Sequence, residues 1–132
     1  FQTITTRWFD NDIYGHMNNT VHYELFDTAV NGFLVEERVL DLKGSQTVFL
    51  VVNSGCSYFS ELAFPDVINA GLCVTKLGTT SVHYKIGLFT KDGAFSAATG
   101  HFVHVNVDRT TRQPVPISDR ARRVLAKLLT TD

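Results

Sequence analysis

The feature that most restricts the fold is the order of segment types. One helix-type segment, Asn19 to about Leu40, precedes four β-type runs with no helical stretch between them. Parallel neighbours need a crossover of a dozen or more residues, usually a helix, so this order excludes repeated βαβ units. An antiparallel sheet on one helix remains, an α+β architecture. We expect one domain over residues 1–132: a five-stranded antiparallel sheet wrapped around a long central helix, plus a short C-terminal helix.

The helix reading rests on spacing. Glu24, Asp27, Asn31 and Arg38 recur at intervals of three, four and seven, while Val21, Leu25, Phe26, Ala29, Val30, Phe33 and Leu34 supply a wide apolar arc. Such an arc fits a helix enclosed by something broad, such as a curved sheet. Gly32 costs about 1 kcal/mol against Ala inside a helix, and close approach to a sheet is the expected compensation.

Thr-rich Phe1–Phe9 reads as a first strand and Thr47–Phe59 as a second. A turn at Leu62–Asp66 contains Pro65, and Val67–Leu77 is a third run, ended by Gly78. In Ser81–Thr90, Val82, Tyr84, Ile86 and Leu88 share a face. Lys91-Asp92-Gly93 is a hairpin signal, and in Ala94–Val107 the residues His101, Val103, Val105 and Val107 share a face. The last four strands read as a meander. Pro114 and Pro116 break the sheet before a terminal helix, Ser118–Leu129, with Ser118 as N-cap and Val124, Leu125, Leu128 and Leu129 as its apolar stripe.

Composition removes several classes of function. Hydrophobic residues at 44% and charged residues at 19% exclude a disordered chain. A net charge of −1 argues against nucleic-acid or anionic-membrane partners. The longest apolar stretch, Val48–Val52, has five residues, whereas a membrane helix needs about 20. The chain opens at Phe1 rather than Met, so its natural start is expected upstream. Cys56 and Cys73 are too few for a disulfide scaffold and read as small buried hydrophobes in a reducing cytoplasm.

The candidate chemistry lies in Asp10-Asn11-Asp12-Ile13-Tyr14-Gly15-His16-Met17-Asn18-Asn19. Two carboxylates, a His and two Asn sit just before a helix start. A helix N-terminus offers unpaired N–H groups and a partial positive charge, which can hold an anion or a developing oxyanion. A nearby carboxylate is kept ionised and can act as nucleophile or base. The plainer reading makes Asn18 or Asn19 an N-cap and leaves the Asp residues to a turn. No zinc spacing, nucleophile elbow, P-loop or dinucleotide fingerprint is present. His101 and His104, three apart on a strand, face opposite sides, so no metal site is expected.

Arg7-Trp8-Phe9-Asp10-Asn11-Asp12, then Gly15-His16-Met17-Asn18-Asn19, Tyr23 and Phe26, resembles the hotdog-fold acyl-CoA thioesterases, most closely the 4-hydroxybenzoyl-CoA thioesterase-like branch. The likeness is dense over about 20 residues, and the order of elements agrees over nearly the whole chain. Pro65-Asp66, and Leu77-Gly78 with Ser81, are further landmarks. The resemblance implies hydrolysis of an acyl-CoA to free acid and CoA. Asp12 would be the nucleophile or general base and the Asn19 backbone amide would polarise the carbonyl. Gly15 would let the backbone come close, and His16 would either act directly or serve loop packing or hydrogen bonding behind the site. Asp10 reads as a turn or hydrogen-bonding residue. Several relatives carry His or Tyr where this chain has Asn19, so no imidazole mechanism transfers to that position.

The resemblance also implies a homodimer or homotetramer with sheets joined edge to edge and the site at the junction. The strand around Val52–Tyr58 of a second copy would complete a tunnel. Phe26, Phe33, Phe49, Phe59 and Tyr23 are expected to line an apolar acyl pocket. No cofactor is expected beyond the CoA carried by the substrate. The rival functions are an acyl-carrier-protein thioesterase of the same fold and a non-catalytic acyl-CoA-binding protein. A hotdog dehydratase fits less well, because it relies on a His with an acidic partner at the helix.

Overall fold

Five strands pair antiparallel into one sheet in the spatial order β1-β3-β4-β5-β2. They are β1 (Gln2–Thr5), β2 (Thr47–Tyr58), β3 (Val67–Leu77), β4 (Ser81–Thr90) and β5 (Ala98–Asp108). Helix α1 (Asn19–Glu36) packs on one face, and α2 (Asp119–Ala126) closes one end. The computed structural model describes residues 1–39, 46–90, 93 and 95–130; Leu40, Lys91, Asp92 and Ala94 lie outside them, so the hairpin signal falls there in part.

The expected four-strand meander is corrected. Only β3, β4 and β5 are consecutive neighbours. β2 pairs with β5, from Thr47↔Asp108 to Tyr58↔Ala98, and forms the far edge. The segment after β2 therefore crosses the end of the sheet to reach β3. On the way it meets the loop before α1: the Met17 amide donates to the Leu62 carbonyl at 2.7 Å, and the Phe64 amide donates to Asn11 Oδ1 at 2.8 Å. Two segments nearly fifty residues apart are thus joined beside the start of α1.

The first strand is shorter than expected. After Thr5 the chain turns through one 3-10 turn, Trp8–Asp10, because the Arg7 amide donates to Asp10 Oδ2 at 2.7 Å. β1 covers only Val67–Ala70 of its neighbour. Further along β3, the C-terminal tail takes its place: the Val74 amide donates to the Leu128 carbonyl and the Thr130 amide to the Val74 carbonyl, both at 2.9 Å. This pairing ends α2 earlier than the expected Leu129. Its N-cap is as expected, with Ser118 Oγ accepting from the Ala121 amide at 3.2 Å.

Asn18 caps α1, its Oδ1 accepting from the Thr20 amide at 3.0 Å. The helix ends before Leu40, in a Schellman pattern. The Val39 amide donates to the Leu34 carbonyl and the Arg38 amide to Val35, with Arg38 at φ 59°. Arg120 of α2 donates to the freed carbonyls of Arg38 (2.6 Å) and Glu37 (3.3 Å).

The core lies between α1 and the sheet. Val21, Leu25, Phe26, Ala29, Val30 and Leu34 meet Val82, Tyr84, Ile86 and Leu88, all of which are buried. On β5 the helix-facing set is Gly100, Phe102, His104 and Asn106, so the face carrying His101, Val103 and Val105 is the outer one. Gly100 leaves the space that the Phe26 ring occupies. Gly32 faces the Gln2 side chain of β1, where an added Cβ would lie 3.1 Å from Oε1, so the close approach expected there is to an edge-strand side chain. Cys56 and Cys73 are free and only half-buried.

Candidate active site

The loop between the 3-10 turn and α1 folds back on itself. Asn11 and Met17 form an antiparallel bridge, the Asp12 amide donates to the His16 carbonyl at 2.8 Å, and the Gly15 amide donates to the Asp12 carbonyl at 3.2 Å. Gly15 sits at φ +80°, a left-handed conformation that disfavours side chains, and no atom lies within 4 Å of where its Cβ would be. The turn needs this glycine for its conformation, and the space beside it is open.

The two aspartates have different surroundings. Asp10 is buried and occupied. Its Oδ1 accepts from Arg7 Nε at 3.1 Å and Nη2 at 2.8 Å, its Oδ2 accepts from the Arg7 amide, and its carbonyl accepts from the Asn18 amide at 2.7 Å. Asp12 is half-buried. Its Oδ1 accepts from the Tyr14 amide at 2.9 Å, an Asx-type contact that fixes the carboxylate. Oδ2 has no partner among the described residues.

Asp12 and Asn19 line one cavity of about 450 Å³ with Tyr14, His16, Met17, His22, Tyr58, Glu61 and Leu62. Asn19 is the first residue of α1, and its amide has no acceptor among the described residues. That amide and the helix dipole favour negative charge in the cavity. His16 Nε2 lies 3.0 Å from Glu61 Oε2, with both side chains largely exposed at the cavity rim. Burial pushes the Tyr58 hydroxyl up to about 12, so it enters the site as a neutral donor. On its other side Asp12 borders a hollow walled by Trp8, Phe9 and Ile13. Those three side chains are exposed, and Trp8 packs edge-on against Phe64 with ring centres 6.0 Å apart.

The arrangement sets a fixed carboxylate and a helix N–H with no acceptor among the described residues on the wall of one cavity. Such a pair can drive attack on a carbonyl and hold the charge that develops on its oxygen. Among the described residues no cluster of three or more His, Cys, Asp or Glu could hold a metal ion, and no described helix is long and apolar enough to cross a membrane.

The thioesterase-like superfamily model matches residues 6–126, which span the Asp12 loop, the helix and the whole sheet. The chain belongs to the thioesterase-like superfamily. It is similar to the PA5185 protein of Pseudomonas aeruginosa, with 48% identity, coverage of 98% of this chain and 91% of that one, and a TM-score of 0.95. The PA2801 protein of the same species, a candidate thioesterase, is 28% identical, with coverage of 92% and 94% and a TM-score of 0.86. The SAV2348 protein of Staphylococcus aureus, solved in complex with CoA, is 22% identical, with coverage of 99% and 85% and a TM-score of 0.89, and so shares the fold. No curated protein sequence matches the chain. The superfamily membership supports thioester hydrolysis as the chemistry of this fold.

All four residues singled out from the sequence, Asp12, Gly15, His16 and Asn19, belong to this loop and helix start. The expectation that Phe26 lines an acyl pocket is corrected. Phe26 is sealed in the core, and none of Tyr23, Phe33, Phe49 and Phe59 lines the Asp12 cavity. Tyr14, Met17, His22, Tyr58 and Leu62 line it instead. His22 had a local signal, since it lies one helical turn after Asn19. Glu61 and Leu62 had none, because they arrive through the β2–β3 crossing.

Proposed function

We propose that this chain is an acyl-CoA thioesterase of the 4-hydroxybenzoyl-CoA thioesterase-like branch, acting as one domain over residues 1–132. The observation that carries the reading is the shared cavity of Asp12 and the Asn19 amide, with one Asp12 carboxylate oxygen and that amide unpaired among the described residues. The thioester carbonyl oxygen accepts from that amide. As base, Asp12 takes a proton from water while the water oxygen adds to the carbonyl carbon. The tetrahedral oxyanion rests on Asn19 N–H. Its collapse breaks the C–S bond, and the CoA thiolate recovers the proton from Asp12. As nucleophile, Asp12 adds to the carbonyl carbon and collapse expels the CoA thiolate to leave a mixed anhydride; water then cleaves that anhydride to free acid and the Asp12 carboxylate, and the proton it releases goes to the thiolate. A single turnover in ¹⁸O-water separates the two, because only the anhydride route can leave label in the Asp12 side chain. Gly15 sets the turn, and His16 with Glu61 forms the polar rim. No cofactor is needed beyond the CoA of the substrate.

The working unit we infer is a homodimer or a pair of dimers, in the cytoplasm. β2 is an open edge carrying exposed Leu50, Val51, Val52 and Tyr58, and the apolar rim Trp8, Phe9 and Ile13 borders Asp12. Apolar surface of this kind on an unpaired edge is a template for a second copy. That SAV2348 was solved with CoA supports CoA as the carrier. Steady-state assay against a panel of acyl-CoAs is the test. Turnover of acyl-carrier-protein thioesters alone would move the substrate to the carrier protein, and binding with no turnover of either would make the protein a non-catalytic acyl binder.

A further inference from the structure

His22 occupies an unusual place. It lies on the first turns of α1, its residue is 4% exposed, and it forms part of the wall of the Asp12 cavity. Its Nδ1 is buried without a hydrogen-bond partner among the described residues. An unpaired polar atom of this kind destabilises a fold, whereas an apolar ring of the same shape does not. The ring is also fixed: Tyr58 packs against it edge-on, with centres 4.8 Å apart and planes at 89°.

The two ring nitrogens differ. Nδ1 is the sealed one, so the ring reaches the cavity through its Nε2 edge. Burial holds the imidazole below the ordinary histidine range, against the opposing pull of the Asn19 and Asn18 carbonyls. The ring is therefore neutral near pH 7. In the tautomer that carries the proton on the sealed Nδ1, Nε2 on the cavity side is an acceptor.

We propose that His22 is a positioning residue of the thioesterase site, accepting through Nε2 a hydrogen bond from the water that Asp12 activates. The inference rests on the thioesterase reading above. Water is donor to both groups, one O–H toward Asp12 and one toward His22, so its attacking lone pair is aimed at the carbonyl held by Asn19. His22 takes no proton in this scheme.

Steady-state kinetics and melting curves of the wild type, His22→Phe, His22→Gln and His104→Phe test it. His104 is the control, a second buried histidine with unpaired nitrogens that does not line the Asp12 cavity. His22→Phe should lower kcat about 10–100-fold, the scale of a misplaced reactant, with KM within about twofold and Tm unchanged or higher. His22→Gln, which keeps an acceptor, should recover much of that loss. The acid limb of kcat should also move to lower pH in His22→Gln, where the titrating groups still facing the cavity are Asp12, Tyr14, His16, Tyr58 and Glu61. His104→Phe should leave kcat unchanged. Retention of kcat in His22→Phe overturns the proposal, as does an equal fall in both His22 variants that tracks a fall in Tm. Absence of wild-type turnover on every thioester overturns the thioesterase reading itself, a result distinct from either.

Discussion

Arg7 holds both oxygens of Asp10: two guanidinium nitrogens donate to Oδ1, at 3.1 and 2.8 Å, and the Arg7 amide donates to Oδ2 at 2.7 Å. This exchange bends the chain out of β1 and aims the following loop at α1. It also separates the two aspartates of the motif into different tasks, since Asp10 is buried with both oxygens engaged by Arg7.

Neutralising each aspartate in turn should therefore give opposite signatures. Asp12→Asn is expected to lower acyl-CoA turnover at least about 100-fold, the range for losing a base or nucleophile, with Tm little changed. Asp10→Asn is expected to lower Tm by about 3–10 °C and to reduce turnover much less. Melting curves beside rate measurements decide it; equal losses of turnover would mean the two roles are misassigned.

Acid should destabilise the protein through His104. Its ring is buried against Phe49, Tyr84 and Phe102 with neither nitrogen paired among the described residues, and burial lowers its pKa from 6.5 to about 4. Between those values the unfolded chain binds the proton and the folded one does not. Stability is therefore full above about pH 6.5 and is lost as pH falls toward about 4, by up to about 1.4 kcal/mol per pH unit. Urea midpoints across this window should show the slope. His104→Phe should flatten it, apart from what His22 adds with the same sign. An unchanged slope in that variant would exclude His104 as its source.

Gly100 and Phe26 share one volume between α1 and β5. A Cβ at residue 100 would clash with the Cε2–Cζ edge of the Phe26 ring, which is wholly buried. Gly100→Ala should cost about 1–3 kcal/mol by overpacking. Gly100→Ala with Phe26→Leu should recover part of that, a coupling that a double-mutant cycle in urea measures. Additive losses would show that the two sites do not compete for space.

The open β2 edge makes assembly a prediction too. Light scattering at micromolar concentration should give at least a dimer. Val52 is the extra residue of the bulge opposite β5 and is 59% exposed. Val52→Lys should shift the protein toward monomer and lower turnover at least about tenfold, because charge on an exposed edge opposes strand addition. A fully active wild-type monomer would refute both the assembly and a site shared between copies.

Local chemistry in the sequence determined much of this protein. Asn18 as a helix cap, Ser118 as another, the apolar stripe of α1 and the alternation of Val82, Tyr84, Ile86 and Leu88 each depend on residues within a few positions of one another. The concentration of Asp12, Gly15, His16 and Asn19 before a helix start was legible for the same reason. Tertiary structure alone decided the rest. Pairing of β2 with β5 rather than β3 is a choice among strands of similar composition, and no short-range pattern encodes it. That choice sends residues 59–66 across the end of the sheet, where Leu62 bonds to Met17 and Glu61 reaches His16. It also puts Tyr58 on His22 and leaves Phe26 to fill the hollow over Gly100 instead of lining a pocket. These contacts join residues some 36 to 74 positions apart, set by how one sheet curves over one helix.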